Sequence, residues 1–430
     1  MLEKNNKRLI NAWASFDWAN SVYNLIVTTA IFPIYYLGTT EAAFGGEMVT
    51  FMGVQISNSV LYSYAISFSF LLIVFISPIL SGIADYSGLK KRFMQIFTYL
   101  GSFSCMALYF FTGENIEFGI MCAVLASLGY AGSLVFYNGF LPEITSKEHM
   151  DKVSAKGFAM GYIGSVILLI INLVLLQKPD FFGFESDIAA TRFGFVLVGV
   201  WWMLFAQIAF YHLKDRNPYK PITRGVLGNG VKELRSVYKV VKGKLLMKRY
   251  LTSFFLYSMG VQTVMLLAPL FADKEIEMGA DEMIIVVLLL QIVAIVGAYF
   301  FAWLSDKKGN GFAISFTLII WVAICVFGYF LEDKIAFYTL ASFLGFVMGG
   351  VQSMSRSTYS KLIPSSATDT ASFFSFFDIT EKLAIVIGSF SYGLINQFTG
   401  SMRYSMVFMS LFFIAGYIIL QKANLKKNMV

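Results

Sequence analysis

The stretch Ser81-Gly82-Ile83-Ala84-Asp85-Tyr86-Ser87-Gly88-Leu89-Lys90-Lys91-Arg92 closes a long apolar run with an aspartate, a glycine three residues on, and three basic residues. Its centre returns as Asp306-Lys307-Lys308-Gly309, an offset of 221, again behind an apolar run. A second pair follows. Tyr137-Asn138-Gly139-Phe140-Leu141-Pro142 and Tyr359-Ser360-Lys361-Leu362-Ile363-Pro364 share Tyr-x4-Pro at an offset of 222. Pro33 and Pro269 make a third pair, offset by 236, with the longer segment 38–59 taking up the excess. Matches at consistent offsets predict a duplicated unit, the internal symmetry of many transport proteins.

Outside these segments the chain is apolar. Of its 430 residues 57% are hydrophobic and only 14% charged, with a mean hydropathy of +0.68, whereas a soluble domain carries about 25% charged residues. Runs long enough to cross a bilayer, roughly 20 residues each, fall at 11–37, 60–84, 93–112, 118–140, 157–177, 192–212, 249–272, 282–304, 312–331, 335–355, 372–395 and 403–422. Only helices satisfy their own backbone in hydrocarbon, and barrel strands would be shorter and alternating. The sequence therefore predicts an all-α membrane protein with twelve transmembrane helices in two six-helix bundles. The bundles cover 1–212 and 249–430, with a linker at 213–248.

The basic residues orient it. With the N-terminus inside, 27 of the 33 Lys and Arg fall on the inner side and five on the outer, with Lys382 inside a span. Both termini are thus expected in the cytoplasm. The net charge of +7 sits in these short loops, so a nucleic-acid partner is not expected. The first run contains Asp17 and lacks a cleavage site, which predicts an uncleaved span. In the linker, Val231, Leu234, Tyr238, Val241 and Leu245 share one helical face, opposite Lys232, Arg235, Lys239 and Lys242. Two readings stand: a helix on the inner membrane surface, or a solvated linker helix.

Ionisable groups inside spans cost roughly 2.5–3.5 kcal/mol each at a helix centre on the insertion scale, so each needs a partner or a wet cavity. In the first span Asp17, Asn20, Ser21 and Asn24 recur at helical spacing as one polar face. That face is either a cavity wall with a titratable Asp17 or an interhelical hydrogen-bond peg. In the eleventh span Asp378 and Lys382 stand four apart and can pair, leaving Glu381 to find another partner. The set suits ion coupling or a structural peg. Gln352 and Arg356 share a face at the end of the tenth span. Arg356 either holds a carboxylate or snorkels to the inner surface; the latter, or gating, is the favoured reading. Gly157, Gly161 and Gly164 read as helix packing.

Cys105, Cys122 and Cys325 fall in apolar runs without metal-ligand spacing. Neither a Walker loop nor a Ser/His/Asp set is present. The chain is expected to be no enzyme and to need no metal or cofactor.

The loop Ser81 to Arg92 resembles the signature loop of the major facilitator superfamily, departing from it at Ser81, Tyr86 and Leu89. In that reading Asp85, Gly88, Lys90, Lys91 and Arg92, with Asp306 and Gly309, form gating loops. An aspartate there can cap a helix start across the interface. Four further blocks resemble the group that includes the fungal autophagy-related vacuolar effluxers. They are Phe16 to Ser21 (Phe16 where the family usually has Tyr), Tyr137 to Ile144 continuing at Ser154 to Tyr162, Gly349 to Pro364, and Phe377-Asp378 with Lys382. The resemblance implies the major facilitator fold, with spans 1, 4, 7 and 10 lining a central cavity. The cavity candidates are then Asp17, Asn20, Asn24, Tyr137, Asn138, Gln262, Gln352 and Arg356, and the ion-coupling candidates Asp17, Asp378, Glu381 and Lys382. For the fungal relatives it also implies amino-acid export. The expected activity is secondary transport of a small polar solute, proton-coupled or facilitated, by a monomer in a bacterial inner membrane. A lipid or drug translocator, or a non-transporting receptor or scaffold, are the alternatives.

Overall fold

The computed structural model describes residues 4–216, 219–220 and 226–425. Arg224, Lys426 and Lys427, counted above on the inner side, lie outside the described residues.

Helix α1 (Lys7–Val22) starts where the Asn6 side chain accepts from the Arg8 and Leu9 N–H groups, satisfying donors that a helix start leaves open. It runs into a π-helical stretch, Tyr23–Ala30. The chain then bends by 43° into α2 (Phe32–Phe44). Pro33 lies in the first turn of α2, where its missing N–H costs nothing. The expected single span over 11–37 is therefore two helical pieces. Beyond α2 the expected long loop folds in part into a hairpin, β1 (Met48–Phe51) paired antiparallel with β2 (Val54–Ser57). Met52 and Gly53 turn it with φ of 47° and 83°, as a two-residue turn with matching twist demands.

The remaining helices are α3 (Asn58–Ser87), α4 (Lys90–Ala107), α5 (Ile116–Ile144), α6 (Met150–Gln177), α7 (Asp187–His212), α8 (Val226–Gly243), α9 (Leu245–Ile276), α10 (Ala280–Lys308), α11 (Asn310–Tyr329), α12 (Lys334–Leu362), α13 (Thr370–Thr399) and α14 (Met402–Ala423). Ten are each long and apolar enough to cross a membrane, and the bent α1–α2 pair makes an eleventh span. The 30-residue α13, over the expected eleventh run, falls outside this apolar set and carries Asp378, Glu381 and Lys382. Aromatic side chains such as Phe75, Trp303 and Phe390 are exposed, a surface suited to lipid rather than water.

Two buried apolar clusters form. One draws on residues 9–213 with Ala371. The other draws on α9 to α14, with Ala155 and Tyr162 of α6 and Val237 of α8. Contacts of α3 with α13, and of α6 with α10 and α12, join them. The ends of the described chain lie on one face: the Asn5 N–H donates to Ile144 O at the end of α5, and Arg249 donates to Lys422 O at the end of α14. This is called the basic face below, and its opposite the hairpin face.

The linker helix α8 begins earlier than the apolar pattern indicated and docks on the basic-face end of α3. Gly230 and Gly82 meet so closely that a Cβ on Gly82 would strike the Gly230 backbone. Val237 is fully buried, whereas Tyr238 and Leu245 are exposed. The expected face is thus rotated, and Leu245 belongs to α9, because the helix breaks at Lys244.

Candidate functional site

Asp17 lies ten residues into α1, about 15 Å along its axis. The glycines of α6 let that helix close on α1 around it. Cβ atoms at Gly157, Gly161 and Gly164 would strike Asp17, Ser21 and Trp18 respectively, so only glycine lets α1 and α6 approach this far. Arg356 reaches in from α12, and its Nη1 lies 3.0 Å from Asp17 Oδ2. Tyr137 OH donates to the same oxygen at 2.8 Å. Arg356 spends its other donors on Ser154: Nε on the hydroxyl at 3.0 Å and Nη2 on the backbone oxygen at 2.8 Å. A longer contact, 3.4 Å, reaches Asn138 Oδ1. The guanidinium also stands 4.1 Å from the Phe158 ring centre and 4.8 Å from that of Trp13, and Trp13 stacks on Tyr137. The expected snorkelling of Arg356 toward the surface is not what is found. Its side chain is buried, because a planar fork of five donors meets a matching set of acceptors across the bundle interface.

The other cavity candidates face protein or open space as follows. Asn20 is fully buried; its Oδ1 accepts from Ser21 at 3.5 Å and its Nδ2 has no partner among the described residues. Asn24 is exposed, within the π-helical stretch. Gln352 is half-buried and accepts from Tyr162 OH of α6 at 2.7 Å. Gln262 of α9 donates to Glu381 at 3.1 Å, which identifies the partner that Glu381 needed.

That bond belongs to a second charged cluster, on α13. Lys382 Nζ lies 3.6 Å from both Asp378 Oδ1 and Glu381 Oε2. Asp378 Oδ2 is buried and has no hydrogen-bond partner among the described residues. The Lys382 ammonium faces the Phe70 ring of α3 at 5.4 Å. The tyrosine Tyr130 of α5 lies within electrostatic reach of Asp17, Arg356, Glu381 and Asp378.

The predicted gating loops close the basic face. Asp85 is buried and accepts from the N–H groups of Ala371 at 3.3 Å and Ser372 at 2.7 Å. A carboxylate there sits on the positive end of α13. Gly88 takes φ 68° to turn the chain. Lys90 is buried, pairs with Glu143 at 2.5 Å and donates to Thr370 at 2.9 Å. The Lys91 N–H donates to Asp215 at 2.9 Å; burial pushes the Asp215 carboxyl above its ordinary range, against that hydrogen bond. Arg92 is exposed. In the second copy Gly309 has φ 87°, and Asp306 pairs with Lys152 of α6 at 2.5 Å in a solvent-exposed setting. The buried role falls instead to Asp151, which receives Ser305 at 2.8 Å, Asn310 at 2.8 Å and Lys361 at 2.6 Å.

Glu143, Asp151, Ser154, Asn310, Lys361 and Thr370 were not singled out from the sequence as site residues. A usable signal existed for two of them. Glu143 follows Tyr-x4-Pro directly, and Asp151 opens the next span; an acid at the end of a span in so apolar a chain calls for a basic partner.

Comparison with known proteins places these features. Residues 5–151 and 145–430 match the family described as vacuole effluxer Atg22 like. An uncharacterized MFS-type transporter of Bacillus subtilis, YxiO, is 30% identical over 413 residues, covering 95% of this chain and 93% of the relative. Autophagy-related protein 22 of Eremothecium gossypii is 26% identical, covering 88% of this chain and 79% of its own. Among solved structures, the human organic anion transporter MFSD10 superposes with a TM-score of 0.72 at 12% identity, covering 97% of this chain and 100% of that one. The Escherichia coli fucose:proton symporter FucP gives 0.68 at 14% identity, covering 96% and 98%. At such identities the likeness to solved structures is one of fold.

Proposed function

From the premise that this chain belongs to the vacuole effluxer Atg22-like family, and so is a major-facilitator-type transporter, we propose that it exports a small polar solute by proton-coupled alternating access. Amino acids are the first class to test. The seam from Asp85 to Gln352 shuts the basic face, and transport requires it to part while the hairpin face closes, the two bundles rocking about a central site. The bilayer is its solvent, a bacterial inner membrane its setting, and a monomer its working unit, with both termini in the cytoplasm. Bundles of 1–212 and 249–430 are the moving parts.

One observation carries this reading. Two clusters of ionisable side chains lie within the long helices, one bridging the bundles and one on α13 with a carboxylate oxygen that has no hydrogen-bond partner among the described residues. Such groups are costly in hydrocarbon and belong to solute or proton paths. The alternative of a lipid or drug translocator draws on an apolar crevice lined by Val264, Phe271, Leu290, Leu340, Met402 and Met409. That crevice lies within the second bundle and not between the two, so it favours no path across the molecule. The test is flux of a pooled amino-acid and peptide mixture in proteoliposomes, with and without a pH gradient. Gradient-driven movement of a component is the expected result. Flux equal to that of protein-free vesicles for the whole pool would sink the reading.

A further inference from the structure

On the basic face a cavity of about 360 Å³ opens between Lys147, Lys244 and Lys361, floored by Leu245, Leu246, Met247, Leu362, Ile363 and Pro364. Its size suits a small ligand. Three of its lining residues are cations and none is an acid. They come from different parts of the chain: Lys147 from the turn before α6, Lys244 from the residue ahead of α9, and Lys361 from the last turn of α12. Lys147 and Lys244 are exposed at the mouth. Lys361 is largely buried and gives two of its donors to Asp151 and Asn310; an ammonium has three. The exposed Glu148 also lies within electrostatic reach of Lys361. Lys244 is the N-cap of α9, and no side chain caps that start, so the open N–H groups of Leu245 to Met247 add positive potential at the same place. The first copy of the Tyr-x4-Pro repeat has Gly139 where the second has Lys361, so the repeat itself does not require a cation here.

We propose that this cavity binds a phosphate group that bridges the two bundles on their closed face. Lysine ammonium groups are point-charge phosphate binders. The aliphatic floor beside them accommodates the glycerol and upper acyl portion of an anionic phospholipid, and free phosphate carries the same head chemistry. A dianion or phosphodiester held between Lys147 of the first bundle and Lys244 and Lys361 of the second would favour the closed basic face.

The test is thermal unfolding of the full-length protein in neutral detergent, read by intrinsic fluorescence, with inorganic phosphate in one arm and phosphatidylglycerol in another. Phosphatidylcholine and matched chloride serve as controls. K147A/K244A removes only exposed side chains, and K232A/K239A on the exposed face of α8 removes the same charge elsewhere. A rise in midpoint with phosphate and with phosphatidylglycerol, its half-effect concentration raised roughly tenfold in K147A/K244A but not in K232A/K239A, supports a phosphate site. A rise with phosphatidylglycerol alone, lost in the same variant, assigns the source as lipid. An equal response in wild type and K147A/K244A, an equal loss in both double variants, or no response to either ligand overturns it. The readout is binding, so this inference and the transport reading can fail separately.

Discussion

Asp17 and Asp378 stand at similar distances along their helices, and each faces a cation, yet the two pairs are built differently. Asp17 meets Arg356 at 3.0 Å across the bundle interface, with Tyr137 on the same oxygen. Asp378 meets Lys382 at 3.6 Å along one helix, shares it with Glu381, and leaves one oxygen unpartnered. The first pair is short, reinforced by Tyr137, and joins the two bundles, so their separation parts it. The second is loose, lies within one bundle and can change protonation without moving a helix. In the proposed transport cycle the difference suits unlike tasks: the first pair would hold a conformation, and the second would exchange a proton.

The largest expected effect comes from breaking the pair that joins the bundles. Arg356→Ala leaves Asp17 buried beside empty space, a loss of about 3–5 kcal/mol for a buried pair, and uncouples Ser154 as well. The unfolding midpoint in detergent should fall steeply and flux should vanish. Arg356→Lys should recover little, since one ammonium cannot reach Asp17 and both Ser154 acceptors in the same geometry. A lysine variant with wild-type midpoint and flux would refute the clamp.

Next comes Asp378→Asn against Asp17→Asn. The first should fold with nearly unchanged stability and lose stimulation by a pH gradient, while exchange of solute down its own gradient persists. The second weakens the clamp, so it should lower flux with and without a gradient. Gradient stimulation intact in Asp378→Asn and missing only in Asp17→Asn would exchange the two roles.

The contrast between these pairs was only half legible in the sequence. Spacing on one helix is local information, so the Asp378–Lys382 pair could be read from its four-residue interval. The Asp17–Arg356 pair joins residues 339 apart, and helical periodicity shows which face Arg356 takes but not what that face meets. The spans themselves were legible, because hydrocarbon demands a fixed length of apolar helix. The bend after Ala30 was less so: Pro33 marks the place, but the π-helical turns ahead of it have no composition of their own. The register of α8 was misread for a related reason. The helix docks through Gly230 and Val237, and a glycine contact contributes nothing to an apolar pattern.

The smallest effect should separate the two copies of the gating loop, whose sequences promise equal work. Asp85 is buried and satisfies two N–H groups at the start of α13, whereas Asp306 makes an ion pair with Lys152 in which the lysine is 63% exposed. Removing an acceptor from buried donors costs about 1–3 kcal/mol, and an exposed pair contributes about 0–1 kcal/mol. Asp85→Ala should therefore loosen the basic face, while Asp306→Ala leaves it shut, because Asp151 carries the buried role in the second copy. Spin labels at E148C and K422C, exposed positions in the first and second bundle respectively, report the separation of the bundles on that face. Their distance distribution should broaden toward longer values in Asp85→Ala and keep its wild-type form in Asp306→Ala. Equal broadening in both would mean that the repeat works symmetrically, and that exposure at Asp306 is a poor guide to its contribution.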